Sequence, residues 1–223
     1  MCIEDLINLE EPLLLNAPFR LGNLVAAGGM GIVYELLDKE DLLVKLVHPG
    51  LFDQEAGEIQ LKHEAEIEMA LTGTPQIVET LSYAVGPTGR GYKIMKRMSG
   101  EALKVTEPKY IAAAPALMQQ LFDVVNTLHQ EGVIHGDIKP SNVHVDSTGQ
   151  IILFDFGLSR RLNESPLEVP ASYIAHTLYY SSPEVLSGQI PTMEDDFYSI
   201  EQIYKKLKII TFPARGEVMS HRY

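Results

Sequence analysis

The stretch "HGDIKPSNVHVDSTGQIILFDFG", residues 135–157, sets Asp137, Lys139, Asn142 and Asp155 around two short apolar runs. Those residue types suit phosphoryl transfer from a nucleotide. That reaction needs metal ions to neutralise phosphate oxygens and a group to orient the attacking hydroxyl. Asp137 would serve the hydroxyl, and Asn142, in the same loop, would offer a ligand to Mg2+. Asp155, beyond a second strand, would return to the same place as the other Mg2+ ligand, and Lys139 would steady the transferring phosphate. A β-hairpin with solvated acids also contains an aspartate and an asparagine at this spacing, so that pair alone argues nothing. The complete string, closed by Phe156 and Gly157, is far harder to reach by chance and needs matching context.

The context must come from the elements that hold these side chains. "FRLGNLVAAG", "GIVYELLD" and "DLLVKLVH", within residues 18–48, are short, apolar and bounded by turn residues, which predicts three strands. "FDQEAGEIQLKHEAEIEMALTG" predicts a helix closed by Gly73. Two further strands are expected near 77–85 and 91–98, joined by the turn "GPTGRG". From about residue 110 the pattern changes. Leu117, Leu121, Val124, Val125 and Leu128 recur at helical spacing, with Pro115 expected in the first turn, where proline is tolerated. Two short strands around "DSTGQ", an irregular segment to about 183 and a helix near 194–208 complete the chain. A β-rich first half and a helical second half predict two lobes joined near Ser99 and Gly100.

Bulk properties narrow the partners. The formal net charge is −12 and no long basic run occurs, which argues against nucleic acid or an anionic membrane as the main partner. Cys2 is the single cysteine, so no intrachain disulfide can form and the fold must hold in a reducing compartment. The opening "MCIEDLINLEEPLLL" lacks a basic segment and is broken by acids, unlike a secretory signal, and Cys2 in place of glycine excludes N-myristoylation. No apolar run approaches the ~20 residues of a membrane span. A cytoplasmic protein is expected.

The motifs resemble the eukaryotic-type protein kinase family. "HGDIKPSN" is similar to its catalytic loop and Asp155–Gly157 to its D-F-G. "AAGGMGIVY" is similar to its glycine-rich loop, with Gly28, Gly29 and Gly31 in the turn, Ala26 replacing the first glycine, and Val33 following. Glycines there let backbone N–H groups approach phosphate closely. The resemblance makes Lys45 the strand lysine that contacts the α- and β-phosphates. Glu64 is its expected helix partner, with Glu66 and Glu68 as rivals that would otherwise form a solvated acidic face. "YKIMKRMSGEAL" is similar to the fifth strand and hinge: Met95 would be the gatekeeper, the backbones of Lys96 and Met98 would bond adenine, and Glu101 could reach the ribose. "HTLYYSSPE" matches at Thr177, Tyr180, Pro183 and Glu184, and "EDDFYSI" supplies Asp196 at the start of the long helix.

The resemblance implies an α+β, bilobal fold. An extension at 1–17 would precede an N-lobe sheet with one helix at 18–98 and a truncated, mainly helical C-lobe at 99–223. It implies an ATP-dependent serine/threonine kinase using Mg2+ or Mn2+ on a protein substrate, Lys139 and Thr177 favouring Ser/Thr over Tyr. A pseudokinase-like binding module and a small-molecule phosphotransferase are the alternatives.

Some positions depart from the family pattern. Gly136 replaces an arginine that pairs with a phosphorylated activation loop, so that switch is not expected here. Leu43 and His144 are unusual in the adenine pocket, His144 on its floor, where a satisfied core histidine is the simpler reading. The amphipathic "DDFYSIEQIYKKLKII" predicts a last helix with one face in water and no missing helical layer. Short kinases of this kind resemble effectors that pathogenic bacteria secrete into host cells. On that analogy the substrate would be a host protein, with chaperones and the ubiquitin machinery as guesses.

Overall fold

The computed structural model describes residues 19–28, 30–37, 39–50, 53–165 and 179–209. Five strands, β1 (Leu21–Ala27), β2 (Gly31–Leu36), β3 (Lys39–Val47), β4 (Thr80–Val85) and β5 (Gly91–Lys96), form an antiparallel sheet in the order β1-β2-β3-β5-β4. Period-2 alternation divides it. Val44, Leu46, Tyr92 and Ile94 fill one apolar cluster with Leu21 and Leu36, while Leu43 and Met95, paired across β3 and β5, join the main core.

Helix α1 (Gln54–Ala70) packs on the sheet. Asp53 caps it by accepting the Ala56 N–H at 2.9 Å, and Gly73, at φ +88°, turns the chain away after its end. The segment after α1 joins the two halves of the molecule. Val78 N–H donates to Leu153 O at 3.0 Å and Leu153 N–H to Gln76 O at 2.8 Å, a short parallel bridge.

The second half begins with β6 (Glu101–Ala102) and α2 (Pro108–Gln130), followed by β7 (Val133–Ile134). A 3-10 turn (Pro140–Asn142), β8 (Val143–Val145), β9 (Ile151–Leu153), β10 (Arg160–Arg161), α3 (Pro183–Leu186) and α4 (Met193–Ile209) follow. Helix α2 starts two residues before the expected point near 110. Pro108 takes the first helical position, so Pro115 lies inside the helix rather than in its first turn. The buried stripe explains this: Tyr110 and Ala114 extend the face of Leu117, Leu121 and Leu128, and packing outweighs the hydrogen bond that Pro115 cannot donate.

One core runs through both halves, from Leu43, Ile67 and Met95 by way of Val78 and Leu153 to Leu121, Val125 and Ile203. Burying side chains of this size is worth roughly 1.5–3 kcal/mol each. Ile200, Ile203 and Leu207 of α4 are buried against α2, whereas Glu201, Lys205 and Lys208 are exposed. The apolar stripe expected for this helix is therefore present. Among the described residues no helix is long and apolar enough to cross a membrane.

Candidate active site

The loop from His135 to Asn142 is fixed by backbone bonds to one buried side chain. Asp196, at the start of α4, accepts the His135 N–H through Oδ2 and the Gly136 N–H through Oδ1, both at 2.9 Å. His129 of α2 reaches the same Oδ2 at 2.9 Å. Gly136 has φ +74°, and a Cβ there would lie 2.8 Å from Leu158 O. The turn thus asks for glycine on steric grounds, in addition to the absence of a side chain noted in the sequence. Ser159 Oγ closes the loop from behind by donating to His135 O at 2.9 Å, and His135 packs on Phe156 with ring centroids 4.7 Å apart.

Asp137 is held at the mouth of this loop. Its Oδ2 accepts from Lys139 Nζ at 2.7 Å and from Asn142 Nδ2 at 3.2 Å, while Oδ1 is buried with no protein partner. Burial pushes the carboxyl up to about 7, against the pull of Lys139. An unpaired acceptor on a proton-hungry carboxylate suits a hydroxyl that must lose its proton.

A second group meets it from the sheet. Lys45 Nζ is 2.8 Å from both Glu64 oxygens and 2.9 Å from Asp155 Oδ1, which settles the choice among the three helix glutamates. Burial alone would depress the Lys45 ammonium, but Asp155 and Glu64 outweigh it and hold the proton far above the usual lysine range. Burial would likewise raise the Asp155 carboxyl, yet Lys45 holds it well below the carboxylate range. Asp155 keeps φ +68°, a conformation that costs a residue with a Cβ ~1–2 kcal/mol. Gly31 makes room for the lysine: a Cβ there would lie 2.9 Å from Lys45 Cε. Val33 faces Lys45 directly across the β2–β3 ladder, and Gly28 N–H closes the turn on Gly31 O at 2.9 Å.

The residues fit a nucleotide and Mg2+. Asn142 turns its Nδ2 to Asp137 O at 2.9 Å, which leaves Oδ1 as the atom for a cation, and Asp155 has its second oxygen free of Lys45. Among the described residues no three His, Cys, Asp or Glu side chains form a metal cage. Two protein oxygens are nevertheless what a Mg2+ that also binds phosphate and water requires. At the hinge, Lys96 N–H donates to Glu79 O at 2.9 Å, so its carbonyl is the group left for a base. Glu101 instead accepts from Lys104, Lys109 and Tyr110.

His144, half-buried on β8, stacks edge-on against Phe154 with its Nδ1 buried and lacking a protein partner, and burial lowers its pKa. Its ring also hydrogen-bonds the Ser99 backbone, so the expected satisfied core histidine is satisfied in part. Glu68 also departs from expectation: it is fully buried rather than solvated, because Lys93 of β5 meets it at 2.5 Å. Lys93 escaped the sequence reading. Two acids four apart on α1 and a lysine on the same strand face as Met95 are visible in the sequence, but not that they meet. Gly29, Thr177 and the extension at 1–17 lie outside the described residues.

Comparison with known proteins gives the family and the fold. The family model for the protein kinase domain matches residues 19–221. The chain is 29% identical over 190 residues to the serine/threonine-protein kinase PknD of Mycobacterium tuberculosis, covering 82% of this chain and 28% of that protein. It is 27% identical to PknB of Mycobacterium leprae, covering 83% of this chain and 31% of that protein. The chain thus spans about a third of the length of these relatives. Among solved structures, the Cydia pomonella granulovirus kinase PK-1 superposes with a TM-score of 0.64 at 16% identity, covering 92% of this chain and 73% of that one.

Proposed function

Because the chain belongs to the protein kinase family, we propose that it is a serine/threonine kinase that phosphorylates a protein hydroxyl from ATP without a phosphate on its own activation segment. The observation that carries this reading is the buried, unpartnered Oδ1 of Asp137 beside an assembled Lys45–Glu64–Asp155 group. Asp137 takes the proton of the attacking hydroxyl as its oxygen bonds the γ-phosphorus and the bond to the leaving diphosphate breaks. Lys139 counters the negative charge beside Asp137. Lys45, held by Glu64, binds phosphate oxygens, and Gly28, Gly29 and Gly31 let the backbone lie over them. Met98 and the Lys96 carbonyl bind the base, with Val33 and His144 above and below it. Asn142 and Asp155 would hold the Mg2+, which supplies charge neutralisation to the phosphates. That these relatives are named as serine/threonine-protein kinases supports the acceptor class.

Independence from a loop phosphate is supported by Gly136, which offers no cation. The nearby Arg160 and Arg161 are engaged with Pro191 O and with Glu164. Ser159, buried and bonded to His135, is a structural residue and not a phosphate acceptor. The test is transfer from labelled ATP to serine/threonine protein substrates before and after phosphatase treatment, with Asp137→Ala as control. Equal transfer by treated and untreated protein is expected. Loss on treatment refutes the independence, and transfer by Asp137→Ala refutes the site.

One observation favours a second reading. Leu43 and Met95 are both buried at the back of the base pocket, and His144 brings an unpaired nitrogen to its floor, a combination that also suits a binding module with altered nucleotide use. Calorimetry with Mg-ATP distinguishes them, since absence of binding favours the module.

A further inference from the structure

We propose that Lys93 is a positioning residue for phosphoryl transfer, holding Glu64 in place for Lys45 from within the sheet. The inference rests on the kinase reading above. Lys45 and Lys93 are directly opposite each other on β3 and β5. Two ammonium groups so placed on one face repel, unless an anion lies between them. Glu64 is that anion: its Oε1 is 2.8 Å from Lys45 Nζ and 2.7 Å from Lys93 Nζ. Glu68, one helical turn on, accepts from Lys93 at 2.5 Å and from the Thr80 hydroxyl of β4. Lys93 and Glu68 are 1% and 0% exposed in their side chains, so solvent screens neither.

Burying such a network for stability alone has little to recommend it, since a well-packed apolar pair of similar volume commonly does as well or better. Position is a different matter. Lys45 divides its contacts between Glu64 and Asp155. When Lys45 also takes on phosphate its three donors are shared among more anions, and Lys93, which is buried away from solvent, still holds the Glu64 carboxylate and with it α1 in place. The inward position of α1 is then required by the sheet's own charges as well as by the lysine that the nucleotide engages.

The test removes the ion pair without leaving a buried charge. Lys93→Met with Glu68→Met should unfold cooperatively, yet lose at least tenfold in kcat with KM for ATP within threefold. Amide hydrogen exchange in residues 54–70 should quicken at least tenfold, with residues 108–130 unchanged. Introduced into Glu64→Gln, the same pair should lower kcat less than twofold further, because the effect passes through Glu64. Wild-type kcat, or unchanged exchange in 54–70, overturns the proposal, as does a tenfold further loss in the Glu64→Gln background. Should that pair fail to fold, Lys93→Gln with Glu68→Gln, which keeps volume and hydrogen bonding, replaces it. Failure of both overturns the proposal, since Lys93 would then be a requirement of folding. If the wild-type chain transfers no phosphate, the kinase reading fails, and exchange in 54–70 alone decides the role of Lys93.

Discussion

Asp155 and Asp137 are both carboxylates in one cleft, and their surroundings drive them apart. Lys45 keeps Asp155 ionised, as a cation ligand must be, whereas burial raises Asp137 to about 7, as a proton acceptor at neutral pH requires. Asp155→Ala should therefore lower transfer by ~10²–10³ or more while far-ultraviolet circular dichroism stays unchanged, because Lys45 still has Glu64. Asp137→Asn should do the reverse to stability. A carboxyl whose folded pKa is raised binds more protons folded than unfolded between pH ~4 and ~7, so its contribution to stability falls as pH rises through that window. Nucleotide-free Asp137→Asn should thus melt above wild type at pH 8, with the difference shrinking towards pH 4. A variant that melts below wild type at pH 8 would contradict the burial of this charge.

Among elements, the loop 135–142 depends on a conformation that few residues adopt. Gly136 combines a left-handed backbone, a close approach to Leu158 O and an N–H donated to Asp196. Gly136→Ala should destabilise by ~1–2 kcal/mol in urea titration, the cost of a Cβ in the left-handed region, and more if Leu158 cannot give way. An alanine variant as stable as wild type would show that the loop relaxes to another path. Helix α1 illustrates the opposite case, where contacts and not backbone choose the geometry. Its mean pattern is weakly amphipathic because the face it buries carries Gln60, Glu64 and Glu68 alongside Leu61 and Ile67. Gln60 reaches across to Gly157 O at 3.0 Å, so the helix also grips the segment after Asp155.

For the whole molecule, one core crosses from sheet to helices through Val78 and Leu153, so the two halves should unfold in a single transition. Ile203 of α4 is fully buried in that core. Ile203→Ala should cost ~2–5 kcal/mol in urea and leave the transition single. Glu184 is exposed on α3, and among the described residues its side chain forms no ion pair. Arg215 and Arg222, the arginines that follow it in sequence, lie outside the described residues. Glu184→Ala should then cost no more than ~1 kcal/mol. A loss of several kcal/mol would mean that Glu184 is held by a buried partner.

Residue pattern alone was enough for the elements whose cause is local and the motifs whose spacing is rigid. Alternating apolar residues and turn signals were enough for the five-stranded sheet, and the helical stripe for α2 and α4. Asp137, Asn142 and Asp155 were legible because short strands fix where a hairpin brings its ends. Lys45 and Glu64 were harder, since the lysine's partner depends on helical register, and Glu66 and Glu68 stood as rivals to the favoured Glu64. Only the tertiary structure resolved them. Register against β3 and β5 turns Glu64 and Glu68 inward and Glu66 outward to solvent. The same packing started α2 at Pro108 and took Pro115 into the helix, left the His144 Nδ1 unpaired, and buried a lysine on β5. A charged residue is assigned to water by its type, and only knowledge of what lies opposite can overrule that. Opposite Lys93 stand Lys45, Glu64 and Glu68, brought from two other elements by long-range pairing that no local pattern encodes.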